Sequence, residues 1–231
     1  MSSKKAWHGW PQCSNRSGLR GDGFMTHMKV LVDTSVLVSD LLWLGLLTMR
    51  KLGNGRGDGA RGGALELFTT SAILDELRPA LRRVYRARTR AQNDGAFEAR
   101  LRSLGHLDMA GMDMTRRGFV KDPDDAHLDV AAWQGGMDVL VSNDVRAFKP
   151  VSSHVDEKAE RGYELVTGDA LLVRLWDAQA DTCRAQFVDT WRGLYEQYCE
   201  ACGLEPDRRA VSEQFRRARA FKLAKRLKGL G

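Results

Sequence analysis

The sequence predicts an α/β fold, a parallel sheet wrapped by helices, and three observations carry that prediction. Short apolar runs of strand length alternate with longer segments whose apolar residues recur every three or four positions. Two of the short runs, residues 30–32 and 139–141, both VLV, are each followed closely by an aspartate, Asp33 and Asp144. The 231 residues suffice for one substantial core with appendages, and no apolar run reaches the roughly 18 uncharged residues of a membrane helix.

The elements follow in chain order. Residues 1–27 lack the continuous apolar centre of a secretory signal and read as a flexible leader, so the expected location is cytoplasmic, with no membrane partner. Val30–Val32 form a strand with Asp33 at its carboxyl end. Thr34 or Ser35 opens a helix carrying Val36, Leu37, Leu41, Leu42, Leu44 and Leu47, which ends at Gly53. The stretch GNGRGDGARGG (53–63), with six glycines, reads as a mobile loop. ALELFTT (64–70) supplies a second strand, and Ser71 begins a helix whose buried face is Ile73, Leu74, Leu77, Leu81 and Val84; Pro79 is expected to kink or divide it. GAFEARLRSLGHL (95–107) is a further amphipathic helix. GFVKDPDD (118–125) reads as a short strand ending in an acidic turn, and DAHLDVAAWQGG (125–136) as a helix stopped by Gly135. After strand 139–141, YELVT (163–167) is the last strand and GDALLVRLWDAQ (168–179) its helix. Residues 179–231 read as two amphipathic helices, the second strongly basic.

Charge is distributed unevenly. From residue 206 onward nine Lys or Arg face only Asp207 and Glu213, a net +7; residues 1–27 carry +3, and the whole chain +6, so the centre is −4. An acidic centre between basic ends suits a cation site with phosphate-binding arms. Four cysteines are too few for a disulfide framework, and the single pair Cys199 and Cys202 lacks the second pair that a zinc site needs, so reduced thiols are expected.

An ionised carboxylate in an apolar setting is costly without a cation or donors. Taken alone, Asp33 reads equally as a cap for the helix after it. Further acids stand at comparable places: Asp75 and Glu76 early in the second helix, Asp122, Asp124 and Asp125 at the start of the helix near 126, and Asp129 one turn on. Four or five gathered carboxylates repel one another unless a hard divalent cation joins them.

Four stretches, VLVDTSVLVSDLL, TTSAILDEL, DPDDAHLDVAAW and DVLVSNDVRAF, in that order, resemble the signature stretches of the PIN-domain nuclease family, which includes the VapC-like toxin ribonucleases of toxin-antitoxin pairs. The resemblance spans residues 28–178 and leaves 179–231 as a basic helical extension. It implies a three-layer α/β/α fold around a parallel sheet, RNA as substrate, and Mg2+ or Mn2+ as cofactor. Its catalytic, metal-binding acids fall on Asp33, Glu76, Asp125 and Asp144. Ser35, Ser142 and Asp129 are expected to stand behind these ligands, and Arg78, Arg82 and Arg83 to track an RNA backbone or to form a solvated helix face. An antitoxin protein and a second copy of the chain are further partners to consider. Ser35 stands where the family often has Asn, and the glycine-rich stretch where it often has a second helix. A receiver domain would need an acidic pair after the first strand, and a haloacid-dehalogenase-like phosphatase an acid at position 35; Thr34 and Ser35 weaken both. A DNA-directed nuclease and a non-catalytic RNA-binding module stay open.

Overall fold

The computed structural model describes residues 27–54, 64–115, 119–150 and 157–228; the leader, apart from its last residue, and residues 55–63 of the glycine-rich stretch lie outside these. Strands His27–Val32 (β1), Ala64–Thr69 (β2), Gly105–His106 (β3), Val139–Val141 (β4) and Glu164–Val166 (β5) form one parallel sheet in the order β3-β2-β1-β4-β5. Helices Thr34–Leu37 (α1) and Asp40–Asn54 (α2) lie between β1 and β2, and Ser71–Val84 (α3) and Arg90–Ser103 (α4) between β2 and β3. Ala126–Gln134 (α5) leads into β4, and Glu157–Arg161 (α6) into β5. Gly168–Asp177 (α7), Asp181–Cys202 (α8), Val211–Arg217 (α9) and Phe221–Leu227 (α10) complete the chain.

A strand covered by helices on both faces needs an unbroken apolar sequence, and Val30, Leu31 and Val32 are fully buried. β1 is central. The chain moves outward to β2 and β3 on one side and to β4 and β5 on the other, so the order reverses between β1 and β4, the place where open α/β sheets form clefts. Val32 pairs with Val141, and the Asp33 amide then donates to the Val141 carbonyl at 3.0 Å, which sets Asp33 beside Ser142.

Several elements differ from the sequence expectation. The first helix is two: α1 ends at Leu37, whose carbonyl accepts from Arg100 Nε at 2.6 Å instead of continuing the helical ladder. β3 lies inside the stretch read as helix; there a Cβ on Gly105 would come within 2.9 Å of Phe68, so the bare glycine permits the strand to close on β2. Within 119–125 the structure forms no strand: Val120 makes an isolated antiparallel bridge to Phe148, and Pro123–Asp125 form a single 3-10 turn capped by Asp122. Pro79 sits inside a continuous α3, on its exposed face, and Val84, the last residue of that helix, is exposed rather than buried.

The basic second helix of the extension is also divided. Arg219 takes a left-handed φ of 62° between α9 and α10, while the Asp169 carboxylate accepts from the Lys222 and Leu223 amides at 3.0 Å each and so pins the start of α10. The turn lets both Phe215 and Leu223 reach the core. α8 packs on α2 and α4, and its Phe187, Trp191 and Tyr198 join the same hydrophobic core as the sheet. Cys199 and Cys202 are buried thiols in no disulfide, each pushed up to about 11 by burial. Among the described residues no helix is long and apolar enough to cross a membrane.

Candidate active site

Asp33, Asp125 and Asp144 occupy the same structural position, the residue before a helical turn, and none of the three side chains accepts from a backbone amide of the turn it precedes. Aspartate there ordinarily accepts from an amide two or three residues on. Elsewhere the chain does use such caps: Thr70, Thr89, Thr167 and Asp122 each accept from a following amide. The three aspartates are thus held at the carboxyl edge of the sheet with their oxygens turned to other work.

Asp33 is buried, and two hydroxyls fix it. Ser35 Oγ donates to Asp33 Oδ2 at 2.6 Å and Ser142 Oγ to the same oxygen at 2.7 Å. A hydroxyl has one proton, so both serines give theirs to Asp33 and their own 3.3 Å approach is a contact only. Each serine also accepts: Ser35 Oγ from the Asn143 amide at 2.9 Å, and Ser142 Oγ from the Asp144 amide at 3.1 Å. The loop carrying Asp144 is therefore tied to Asp33 through these two side chains, and Asn143 Nδ2 adds a bond to the Ser35 carbonyl.

Glu76 projects from the second turn of α3. Thr34 Oγ1 meets its Oε2 at 3.0 Å and the Ile73 carbonyl at 3.3 Å, joining the start of α1 to α3. His127 stands on the other side. Its Nδ1 lies 2.8 Å from the Asp124 carbonyl, which can only accept, so that nitrogen carries a proton; Nε2 is buried, unbonded among the described residues, and 3.8 Å from Glu76 Oε1.

The Asp125 carboxyl is pushed up to about 6, first by burial and then by the charges of Asp33, Asp122 and Asp144, with His127 pulling the other way. That crowding places Asp125 within electrostatic reach of both strand-end aspartates. Asp129 goes elsewhere: it is fully buried and accepts from the Tyr163 hydroxyl at 2.8 Å, at the entry to β5 and thus toward the opposite end of the sheet. Arg78 pairs with Asp94 at 3.0 Å and Glu98 at 3.8 Å and lies over the Phe97 ring, and Arg82 pairs with Asp94 at 3.1 Å, whereas Arg83 is exposed.

Sequence reasoning missed Thr34, Asn143 and His127. Each lies within two residues of a singled-out acid, which was the available signal, but only the packing of α1, α3 and α5 shows what each touches.

The donor set is all carboxylate, the chemistry of a hard divalent ion, and none of the ion pairs among the described residues supplies Asp33, Asp125 or Asp144 with a Lys or Arg. As the side chains stand, no group of three His, Cys, Asp or Glu among the described residues is closed tightly enough to grip an ion. Asp125 stands within electrostatic reach of Asp33 and Asp144 without the acids meeting at a point.

No significant match to the chain exists among curated proteins or solved structures. The model of the family described as PIN domain, however, matches residues 29–146, a span that runs from within β1 to just past β4 and holds all four acids. With that match over half the chain and the parallel sheet that carries it, the protein belongs to the PIN-domain family, whose members are generally metal-dependent nucleases.

Proposed function

We propose that this chain is a Mg2+- or Mn2+-dependent endoribonuclease and the toxin of a toxin-antitoxin pair. The observation that carries the nuclease reading is the set of three cap-position aspartates that do not cap, with the Asp125 carboxyl raised first by burial and then by the charges of its acidic neighbours, and with no internal cation among the described residues. RNA and the toxin role rest on the likeness of the four signature stretches to the toxin-like members of the family.

In this reading Asp33, Asp125 and Asp144 hold one ion, and Glu76 holds a second ion or orients water. A bound divalent ion supplies Lewis acidity and positive charge toward a phosphodiester. The chain's own contribution is placement. Ser35 and Ser142 fix one oxygen of Asp33, Ser142 also positions the Asp144 backbone, and Thr34 sets the Glu76 carboxylate. Asp125, whose carboxyl is pushed up to about 6, would give up its proton on binding a cation.

The test is cleavage of end-labelled single-stranded RNA and DNA with Mn2+, Mg2+ or EDTA, with Asp125→Asn beside the wild type. Metal-dependent cutting of RNA that the variant loses is the expected result; cutting of DNA alone reassigns the substrate. RNA binding without cutting in any metal turns the reading to a non-catalytic module. For the toxin role, induced expression should arrest growth, and co-expression of a neighbouring small reading frame should relieve it.

A further inference from the structure

The extension carries a second feature that the cleft does not use. Of the nine Lys and Arg from residue 208 to 228, Arg209 and Arg217 pair with Asp207, Arg216 with Glu213, and Arg226 with Asp177. Arg208, Arg219, Lys222, Lys225 and Lys228 are exposed and form no ion pair among the described residues, although Lys228 lies within electrostatic reach of Glu213. On α10 the apolar residues Leu223, Ala224 and Leu227 face the core, so Phe221, Lys222, Lys225 and Lys228 share the opposite, solvent face. Phe221 is 60% exposed, an aromatic ring on a basic surface with no apolar need to be there.

The patch is joined to the cleft. Asn143, next to Asp144, accepts from the Gly168 amide at 3.2 Å through Oδ1, and the following residue, Asp169, accepts from the Lys222 and Leu223 amides. Two hydrogen-bonded steps therefore connect the loop of a site acid to the first residues of α10. Arg219 adds an independent sign. It holds a left-handed φ of 62°, where glycine would be relaxed, and strain of this kind on a residue other than glycine persists where the side chain is needed.

We infer that the solvent face of α10, with Arg219, Phe221, Lys222 and Lys225, is a binding surface for single-stranded nucleic acid that extends the cleft, phosphates lying on the cations and a base on the Phe221 ring. A charged groove with an exposed aromatic is the arrangement that holds single strands, since every base has a face to stack. This inference rests on the nuclease reading for its biological sense, but its test does not depend on cleavage.

The experiment is fluorescence anisotropy of the full chain with labelled 20-nucleotide RNA, DNA and duplex DNA in EDTA, over a range of salt. The double variant Lys222→Ala/Lys225→Ala is expected to bind single strands about tenfold more weakly and to lower the salt slope by about 1.4, two single-strand phosphate contacts. Phe221→Ala is expected to lose about tenfold on single strands and little on duplex. Arg219→Gly should weaken binding while its melting temperature holds or rises, which separates a binding role from a structural one. Unchanged affinity and salt slope in the double variant, or binding by the wild-type chain to no nucleic acid at all, overturns the inference and leaves an acidic protein as the partner to seek. Binding that falls as expected in a chain that cuts nothing supports the surface and removes the nuclease reading alone.

Discussion

Asp40 and Asp125 both lose water when the chain folds, yet their surroundings differ in kind. Burial works against ionised Asp40, but Arg100 and Arg88 prevail and hold its carboxyl below the usual carboxylate range. Arg100 is fully buried and meets Oδ1 at 2.6 Å, Arg88 meets Oδ2, and the Tyr198 hydroxyl adds a bond of 2.8 Å, so α2, α4 and α8 are joined around one negative charge. Around Asp125 the neighbouring charges are mostly aspartates, and the carboxyl rises. Around Asp40 the fold provides arginines; around Asp125, at the carboxyl edge of β1 and β4, it provides more acid. The difference separates a carboxylate that the fold itself neutralises from those that, on the proposed function, would receive a cation from outside.

The sharpest way to break this comparison is to remove a cation from one side and an acid from the other. Arg100→Met leaves Asp40 without its most buried partner and should cost roughly 3 to 5 kcal/mol of stability, read as a lowered urea midpoint. A neutral outcome would mean that the pair merely packs. Asp125→Asn acts oppositely. Cleavage should fall roughly 10² to 10³-fold, while the metal-free protein melts at an equal or higher temperature because a repelled charge is gone. If that variant is destabilised as strongly as Arg100→Met, the two regions are not different in kind.

A pH series sharpens the same point. The Asp125 carboxyl sits at about 6 in the fold against an ordinary 3.8, so between these values the folded chain binds a proton that the unfolded chain does not. Its contribution to metal-free stability is therefore present at pH 4 and lost as pH rises through about 6. Melting temperatures across this window should show the slope in wild type and not in Asp125→Asn, and Mn2+ affinity measured by calorimetry should weaken as pH falls below 6. The smallest effect is expected from Ser142→Ala, which removes one of two donors to Asp33 and the acceptor for the Asp144 amide. About 1 to 2 kcal/mol of stability and a few-fold in cleavage are expected, with the fold intact by circular dichroism.

Much of the fold was legible because β1, β2, β4 and β5 and the helices between them obey simple periodicities, and parallel pairing follows from their alternation. The order of the four acids along the chain was equally plain. The misses have one cause: long-range contacts overrode local pattern. Arg100 ended α1 at Leu37, Phe68 drew Gly105 into the sheet, and Asp169 restarted a helix after Arg219. In the site, Asp129 was expected to stand behind the metal-binding acids, but one turn along a helix antiparallel to the strands brought it to Tyr163 instead.

The stretch VLVDTSVLVSDLL holds both Asp33 and Asp40, seven residues apart in one apolar run. By itself the sequence marked Asp33 as an exception requiring a partner, because burying a bare charge is costly whatever the fold, and the same rule holds for Asp40, which that reading passed over. Only the tertiary structure decided which partner each receives. Arg88 and Arg100 come to Asp40 from 48 and 60 residues away, and Ser142 comes to Asp33 from 109, distances over which no local periodicity carries information. What brings them is the pairing of β1 with β4 and the packing of α4 against α3 and α8, long-range contacts that form as the core closes.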